Sequence, residues 1–367
     1  MGLESSFNGY IDELPFIHVD NFENKHKSAY FLSHYHADHI IGLKDADFPR
    51  KLEKNNGFIY ASELTIAIIK NDYPDLAPFL RILELGRNTI TIVENDKEIY
   101  LTVITLPAGH SLGSIMFLFK HNHTILYSGD FRITPNTVSR YTHLHKNKEP
   151  IPIDVLYIDT TFQNIESFPK RSDVMRNIIN YLKSWLDGKD TNEVLLITSA
   201  GYGYECICNE IYTATKVKTF INEKKWKVFS QFPKELYGIT NDASSRIKLC
   251  TKYEKWPITE NTLSIYFSAM KWCRDLKEEN FIKSISKNKI EVCFSLHCDR
   301  NELVHFINYL QPKKVVGFPN DFKGYKTKKT EEVVGVQFCA RKRLKKLSNE
   351  SIGKEISKDD KKNMFEW

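Results

Sequence analysis

Four residues that can hold a metal ion, His34, His36, Asp38 and His39, fall within the six positions His34-Tyr35-His36-Ala37-Asp38-His39. Three imidazoles and a carboxylate this close together are borderline-to-hard donors suited to Zn²⁺ or a similar transition metal. The bland alternative is a polar turn with solvated histidines, and the density of donor types argues against it. The run directly follows the apolar stretch Tyr30-Phe31-Leu32, so a turn leaving a strand end can point His34 and His36 to one side. If a helix begins near Asp38, Asp38 and His39 face a second position beside the first, and the spacing suits two adjacent metals better than one.

Two later segments supply the donors that such a centre still lacks. Residues 106–114 place His110 between Gly109 and Gly113, and residues 128–131 place Asp130 directly after Gly129. Each alone reads as an ordinary turn. Together with the first cluster they complete a coordination set of His34, His36, Asp38, His39, His110 and Asp130.

The elements that must position these residues are mostly strands. Short β-branched or aromatic runs at 16–19, 29–33, 58–61, 89–93, 98–106, 115–120, 124–128 and 155–159 are broken by Gly, Asn, Asp or Pro, the pattern of strands in sheets. Helical candidates interrupt them at 63–70 and around 78–81. His34, His110, Asp130 and Asp159 all fall at strand ends, where a sheet presents functional groups on loops. After Asp159 the pattern changes to strands alternating with helices: helices at 174–186 and 204–215, strands at 193–198, 227–230, 246–249 and 263–267. From residue 290 the first texture returns, with a strand at 290–294, a helix at 302–310 and a strand at 314–317. The spacing predicts an α+β chain in four parts: 1–158, an inserted α/β domain over 159–289, a returning part over 290–339, and a polar, basic tail over 340–367 expected to be disordered.

Composition narrows the class. The 367 residues are 41% hydrophobic and 27% charged with a formal charge of +6, an ordinary soluble balance with a mild bias towards anionic partners. Seven cysteines, none in a CxxC pair, argue against a disulfide framework and for a reducing compartment. No apolar run is long enough to span a bilayer, and stable membrane association is not expected. Residues 1–6 fit the permissive N-myristoylation pattern, but no basic cluster follows to supply a second anchor.

The motif series His34-x-His36-x-Asp38-His39, then His110 between glycines, then Gly129-Asp130 resembles that of the metallo-β-lactamase superfamily, with Asp20 in the position of its supporting early Asp. The segments 29–34, 113–119, 126–132, 157–162, 201–205 and 293–297 are similar to those of the DNA-processing SNM1-type nucleases with an inserted β-CASP domain, nearest the hairpin-opening, end-joining branch. The resemblance runs from about residue 7 to about residue 346. It implies an αββα sandwich carrying an α/β β-CASP insert. Asp130 would bridge two metals, with His34, His36 and His110 completing the first site and Asp38 and His39 the second.

The resemblance further implies one or two Zn²⁺ ions, with Mg²⁺ or Mn²⁺ an option at the second site, and phosphodiester hydrolysis in which Asp38, His39 and Asp130 are catalytic. Ser295 and His297 would bind a phosphate, and Asp159 would support the domain junction or the site. The implied partner is DNA as single strands, hairpins or overhangs, together with a DNA-dependent protein kinase and end-joining factors. A nuclear, monomeric protein acting as 5′ exonuclease, hairpin and overhang endonuclease, or both is expected, with the basic run Arg341–Lys346 a nuclear-localisation or DNA-backbone candidate. Leu112 departs from the family's usual Pro. Lys248 and Phe229 stand where the family carries histidines that hold a second, structural zinc with two cysteines, of which Cys250 is matched, so that zinc is not an expectation for this chain. Three other readings share the scaffold or part of it: RNA cleavage, hydrolysis of a small thioester or lactam, and a catalytically idle DNA-binding scaffold.

Overall fold

The computed structural model describes residues 5–24, 26–94, 96–273 and 281–324. The tail over 340–367 with its basic run, residues 325–339 of the returning part, and the first four residues of the myristoylation pattern lie outside them.

The first sheet is a parallel set of four short strands in the order β1 (Ile17–Val19), β2 (Ala29–Leu32), β3 (Phe58–Ala61), β4 (Leu80–Ile82). Helices α1 (Phe48–Lys54) and α2 (Glu63–Asp72) connect them. Ser62 caps α2 by accepting the Thr65 amide, which satisfies one of the four donors a helix start leaves open. The expected helix around 78–81 is instead a 3-10 turn, Pro74–Phe79, running into β4, because Pro78 inside that stretch has no amide to donate to an α-helical hydrogen bond.

The second sheet is built from the hairpin strands β5 (Gly86–Glu94), β6 (Lys97–Pro107), β7 (Ile115–Lys120) and β8 (Thr124–Tyr127). A two-stranded ribbon, β9 (His145–Lys146) and β10 (Glu149–Pro150), follows, and then β11 (Val155–Asp159) joins the sheet beside β8. A late strand, Lys314–Phe318, pairs parallel to β11 and closes it at six strands. The two sheets share one apolar core. Val19, Phe31 and Tyr60 from the first pack with Leu101, Val103, Phe117, Phe119, Tyr127, Tyr157 and Phe318 from the second. Alternation along β6 and β7 puts these side chains on one face, which is what joins two sheets face to face.

Between β11 and that late strand the chain makes a third sheet. It contains β12 (Glu193–Thr198), β13 (Thr219–Phe220), β14 (Ile239–Thr240), β15 (Ile247–Thr251), β16 (Thr262–Phe267), β17 (Ile282–Ser286) and β18 (Lys289–Val292) in the order β14-β13-β15-β12-β16-β18-β17. All pairs are parallel except β17–β18. Helices α3 (Arg171–Gly188), α4 (Cys206–Thr215) and α5 (Glu223–Phe229) belong to the same stretch. The chain then runs through α6 (Arg300–Leu310) to the late strand, β19.

Two expectations are corrected here. Residues 227–230 lie at the end of α5 and not in a strand; Asn222 caps that helix by accepting the Lys225 amide, and this local hydrogen bond outweighs a short β-like run of Lys, Val and Phe. The strand expected to begin the returning part at residue 290 is β18, which pairs with β16 in the third sheet. The chain therefore re-enters the second sheet at Lys314, later than the boundary the sequence suggested.

Candidate metal centre

The donor residues follow the same ends of aligned strands. Asp20 leaves β1, the His34–His39 run leaves β2, His110 follows β6, Asp130 follows β8 and Asp159 ends β11. Since β1 and β2 are parallel, and β6, β8 and β11 point one way in the second sheet, the sandwich delivers all five segments to one edge. Gly129, at φ +52°, permits the turn into Asp130. A Cβ there would lie 2.7 Å from the Cβ of Ser33, so no other residue lets the two sheets approach this closely.

Hydrogen bonds fix which ring nitrogen of each histidine faces inward. Ser33 Oγ donates to Asp20 Oδ2 (2.6 Å), so at 3.0 Å it can only accept from His34 Nδ1–H. This leaves His34 Nε2 turned inward, buried without a hydrogen bond, 3.5 Å from Asp130 Oδ2. His36 Nε2 donates to the Tyr202 carbonyl at 2.9 Å, and His110 Nδ1 donates to the Leu296 carbonyl at 3.0 Å. Their remaining nitrogens, His36 Nδ1 and His110 Nε2, then face each other at 3.0 Å. Burial and the neighbouring imidazole of His34 push the His36 pKa down to about 3, and burial lowers that of His110 well below the ordinary value. Three imidazole nitrogens therefore point at one spot beside a carboxylate.

His39 and Asp38 lie beside this group. His39 Nδ1 donates to Asp20 Oδ2 at 2.9 Å, and its Nε2 lies 3.3 Å from Asp130 Oδ1 and 3.5 Å from Asp38 Oδ2. Burial opposes a charge on His39, yet the Asp130 and Asp20 carboxylates outweigh it and raise the pKa well above the imidazole norm. Asp130 is likewise opposed by burial, but His39 and His297 hold its carboxyl well below the usual range. A cation between these groups would do the work these protons do here, and the two clusters His34–His36–His110–Asp130 and Asp38–His39–Asp130 have their donor atoms close enough to hold one each. The donor chemistry thus fits the metal pair that the sequence led us to expect. Ser6, which the sequence reading missed, places its Oγ 3.0 Å from His39 Nε2; a lone serine near the N-terminus carries no signal to find it by.

The supporting residues divide. Asp20 is fully buried and accepts from the Ser33 amide, the Ser33 hydroxyl, His39 and the Tyr127 hydroxyl. Asp159 Oδ1 accepts from the amide and hydroxyl of Thr161, capping the turn after β11, while its Oδ2 accepts from His297 Nδ1 at 2.8 Å. His297 is thereby part of the site. Burial works against its charge, but Asp159 and Asp130 raise its pKa to about 9. Ser295, the other residue expected to meet a phosphate, lies beside His297. Its buried hydroxyl donates to the His297 carbonyl at 2.8 Å and accepts the His297 amide at 3.1 Å, so it shapes the turn that presents His297.

In the third sheet, Lys248 Nζ donates to Glu193 at 2.7 Å and lies 5.8 Å from the Trp256 ring. Cys250 is buried with Leu195, Ile197, Trp256 and Tyr266.

A family model described as DNA repair metallo-beta-lactamase matches residues 156–320. The chain is 31% identical to Protein artemis of Rattus norvegicus over 344 residues, covering 86% of this chain and 49% of that protein. It is 27% identical to DNA cross-link repair protein SNM1 of Arabidopsis thaliana over 322 residues, covering 80% and 61%, and 26% identical to 5' exonuclease Apollo of Danio rerio over 295 residues, covering 79% and 48%. The chain spans about half the length of the artemis proteins it matches.

Proposed function

Because this chain belongs to the SNM1-type family of DNA-repair metallo-β-lactamase proteins, close to artemis, we propose that it is a metal-dependent nuclease that hydrolyses phosphodiester bonds of DNA. The third sheet with its helices is then the β-CASP insert, entered after Asp159 and left through residues 293–299. The observation that carries the proposal is the convergence of three imidazole nitrogens on Asp130, each ring held by a hydrogen bond on its other nitrogen.

In this reading His34 Nε2, His36 Nδ1, His110 Nε2 and Asp130 hold one ion, and Asp38, His39 Nε2 and Asp130 hold a second. Zinc in such a site supplies Lewis acidity, activating water near neutral pH and offsetting charge on a phosphoryl oxygen. Asp38, whose side chain is 39% exposed, orients the attacking water and takes its proton. His297, charged through Asp159, turns its Nε2–H to a non-bridging oxygen of the scissile phosphate. Asp20 holds the tautomer and angle of His39 directly and those of His34 through Ser33, as partners behind metal ligands do.

On this reading the protein would work in the nucleus on single strands, hairpins or overhangs at broken or crosslinked ends, alongside end-joining factors and their kinase. No described helix is long and apolar enough to cross a membrane. The test is direct. Purified protein is offered labelled single-stranded DNA, hairpin DNA, RNA and a generic lactam, with and without chelator, beside Asp38→Asn. Chelator-sensitive cutting of DNA that Asp38→Asn abolishes supports the reading; lactam turnover or RNA cutting without DNA cleavage overturns it.

A further inference from the structure

The metal centre depends on a loop of the third sheet for the orientation of one of its histidines. His36 Nε2 donates to the carbonyl of Tyr202, 166 residues away in the chain, in the turn between β12 and α4. Gly203, next in that turn, has φ +111°, and a Cβ there would sit 3.3 Å from His36 Nε2 and 3.1 Å from Leu296 Cδ1. The turn is thus pressed against the histidine, and its backbone conformation decides where the accepting oxygen lies.

What holds the turn is a buried ion pair. Glu205 Oε2 accepts the Gly203 amide at 2.7 Å, and Glu205 Oε1 accepts from Lys225 Nζ at 2.9 Å. The two side chains are 2% and 8% exposed, and burying two charges is costly unless both are well bonded. Lys225 comes from the first turn of α5, and its ammonium also lies 5.4 Å from the ring of Tyr202. That ring in turn packs against Tyr35, the residue between His34 and His36, with centroids 5.5 Å apart. The charge pair is therefore connected to the metal-ligand run by a hydrogen-bond path through Gly203 and Tyr202 and by a packing path through the two tyrosines.

We infer that Lys225 and Glu205 are positioning residues for the metal centre: the pair clamps the Tyr202–Gly203 turn so that the Tyr202 carbonyl fixes His36 with Nε2 protonated and Nδ1 presented to the ion. A helix of the third sheet thereby sets metal affinity in the sandwich. The inference rests on the proposed reading of His36 as a ligand. The carbonyl admits only a donor at Nε2, so losing the clamp frees the ring to rotate or to take the other tautomer, and both misdirect its lone pair.

The experiment uses the full chain, stripped of metal and then titrated with Zn²⁺ against a chromophoric chelator, with the His36 ring nitrogens followed by NMR in the metal-free protein. Lys225→Met should weaken Zn²⁺ binding about tenfold, the lower end of what removing a partner behind a ligand does, and broaden or shift the His36 nitrogen signals. Lys225→Arg should restore binding to within about twofold, since a guanidinium reaches the same carboxylate. If Lys225→Met proves too unstable, the charge-balanced double variant Lys225→Met with Glu205→Gln replaces it, with the same expectation. Lys313→Ala, which removes an exposed ion pair with Asp154, is the control.

Unchanged affinity and unchanged His36 signals in either clamp variant, while His36→Ala loses Zn²⁺, overturn this inference and leave the ligand reading standing. Unchanged affinity in His36→Ala overturns the ligand reading itself.

Discussion

His36 and His110 turn ring nitrogens towards each other at 3.0 Å, although each has already donated its other N–H to a backbone carbonyl. Two imidazole lone pairs at that distance repel unless a proton or a cation lies between them, and burial lowers the proton affinity of both rings. A bound ion turns this repulsion into attraction. Chelation is therefore expected to destabilise the fold as well as stop the chemistry. At an ion concentration a hundredfold above the dissociation constant the linkage is about 2.7 kcal/mol, on the order of 5 °C in Tm for a chain this size. Thermal unfolding with and without chelator checks it, and a Tm indifferent to zinc would count against the site.

Gly203→Ala addresses the same edge from the other side. The added methyl meets a φ of +111° as well as His36 and Leu296 at close range. We expect a loss of roughly 1–3 kcal/mol, with a drop in zinc affinity accompanying it. Urea unfolding of the apoprotein separates the two effects.

Arg132 is a third handle. Its guanidinium donates to Glu302 (3.2 Å), to the Ser295 carbonyl (3.0 Å) and to the Pro169 carbonyl (3.3 Å), joining the loop after Asp130 to α6 and to the turn that presents His297. Arg132→Met leaves Glu302, whose side chain is 11% exposed, with the Asp299 amide but no cation, and losing one partner of a largely buried pair costs up to about 3 kcal/mol. Arg132→Lys should recover only part of this because a single ammonium cannot reproduce the fork. The midpoint of denaturant unfolding reads both.

The cysteines give a chemical test of the fold. Burial pushes the Cys208, Cys250 and Cys293 thiols up to about 12 and raises those of Cys206 and Cys298 as well. Cys273 alone among the six described thiols is not fully buried. Burial raises the Cys273 thiol as well, so a thiol reagent should label Cys273 ahead of the other five in the native protein, and those five only after denaturant is added. Fast labelling of Cys206 or Cys208 would mean that α4 is not packed as described.

The sequence displayed the donor set because donors are side chains and their types are visible: His34, His36, Asp38, His39, His110 and Asp130 all lie at one edge of the sandwich. It did not display what aims them. The partners of His36 and His110 are main-chain carbonyls of Tyr202 and Leu296, which any residue could supply and which reach the site only through the third sheet. Ser295 carries a local role that the sequence also did not display: its hydroxyl bonds the His297 backbone, as serine hydroxyls readily do in turns. Around residues 223–230 the Asn222 cap was the available signal for a helix, and a short β-like run obscured it.

The pairing of β11 with β19 has a consequence for how this chain is made. Val155–Asp159 lies beside Lys314–Phe318 in the finished sheet, and all of the third sheet is synthesised between them. At 5–20 residues per second, the roughly 150 intervening residues take about 8–30 s to leave the ribosome. For that time β11 is an apolar strand with an open edge, a template for other nascent chains. The ribosome-bound half-protein, and not the folded molecule, is where this architecture is most exposed to aggregation.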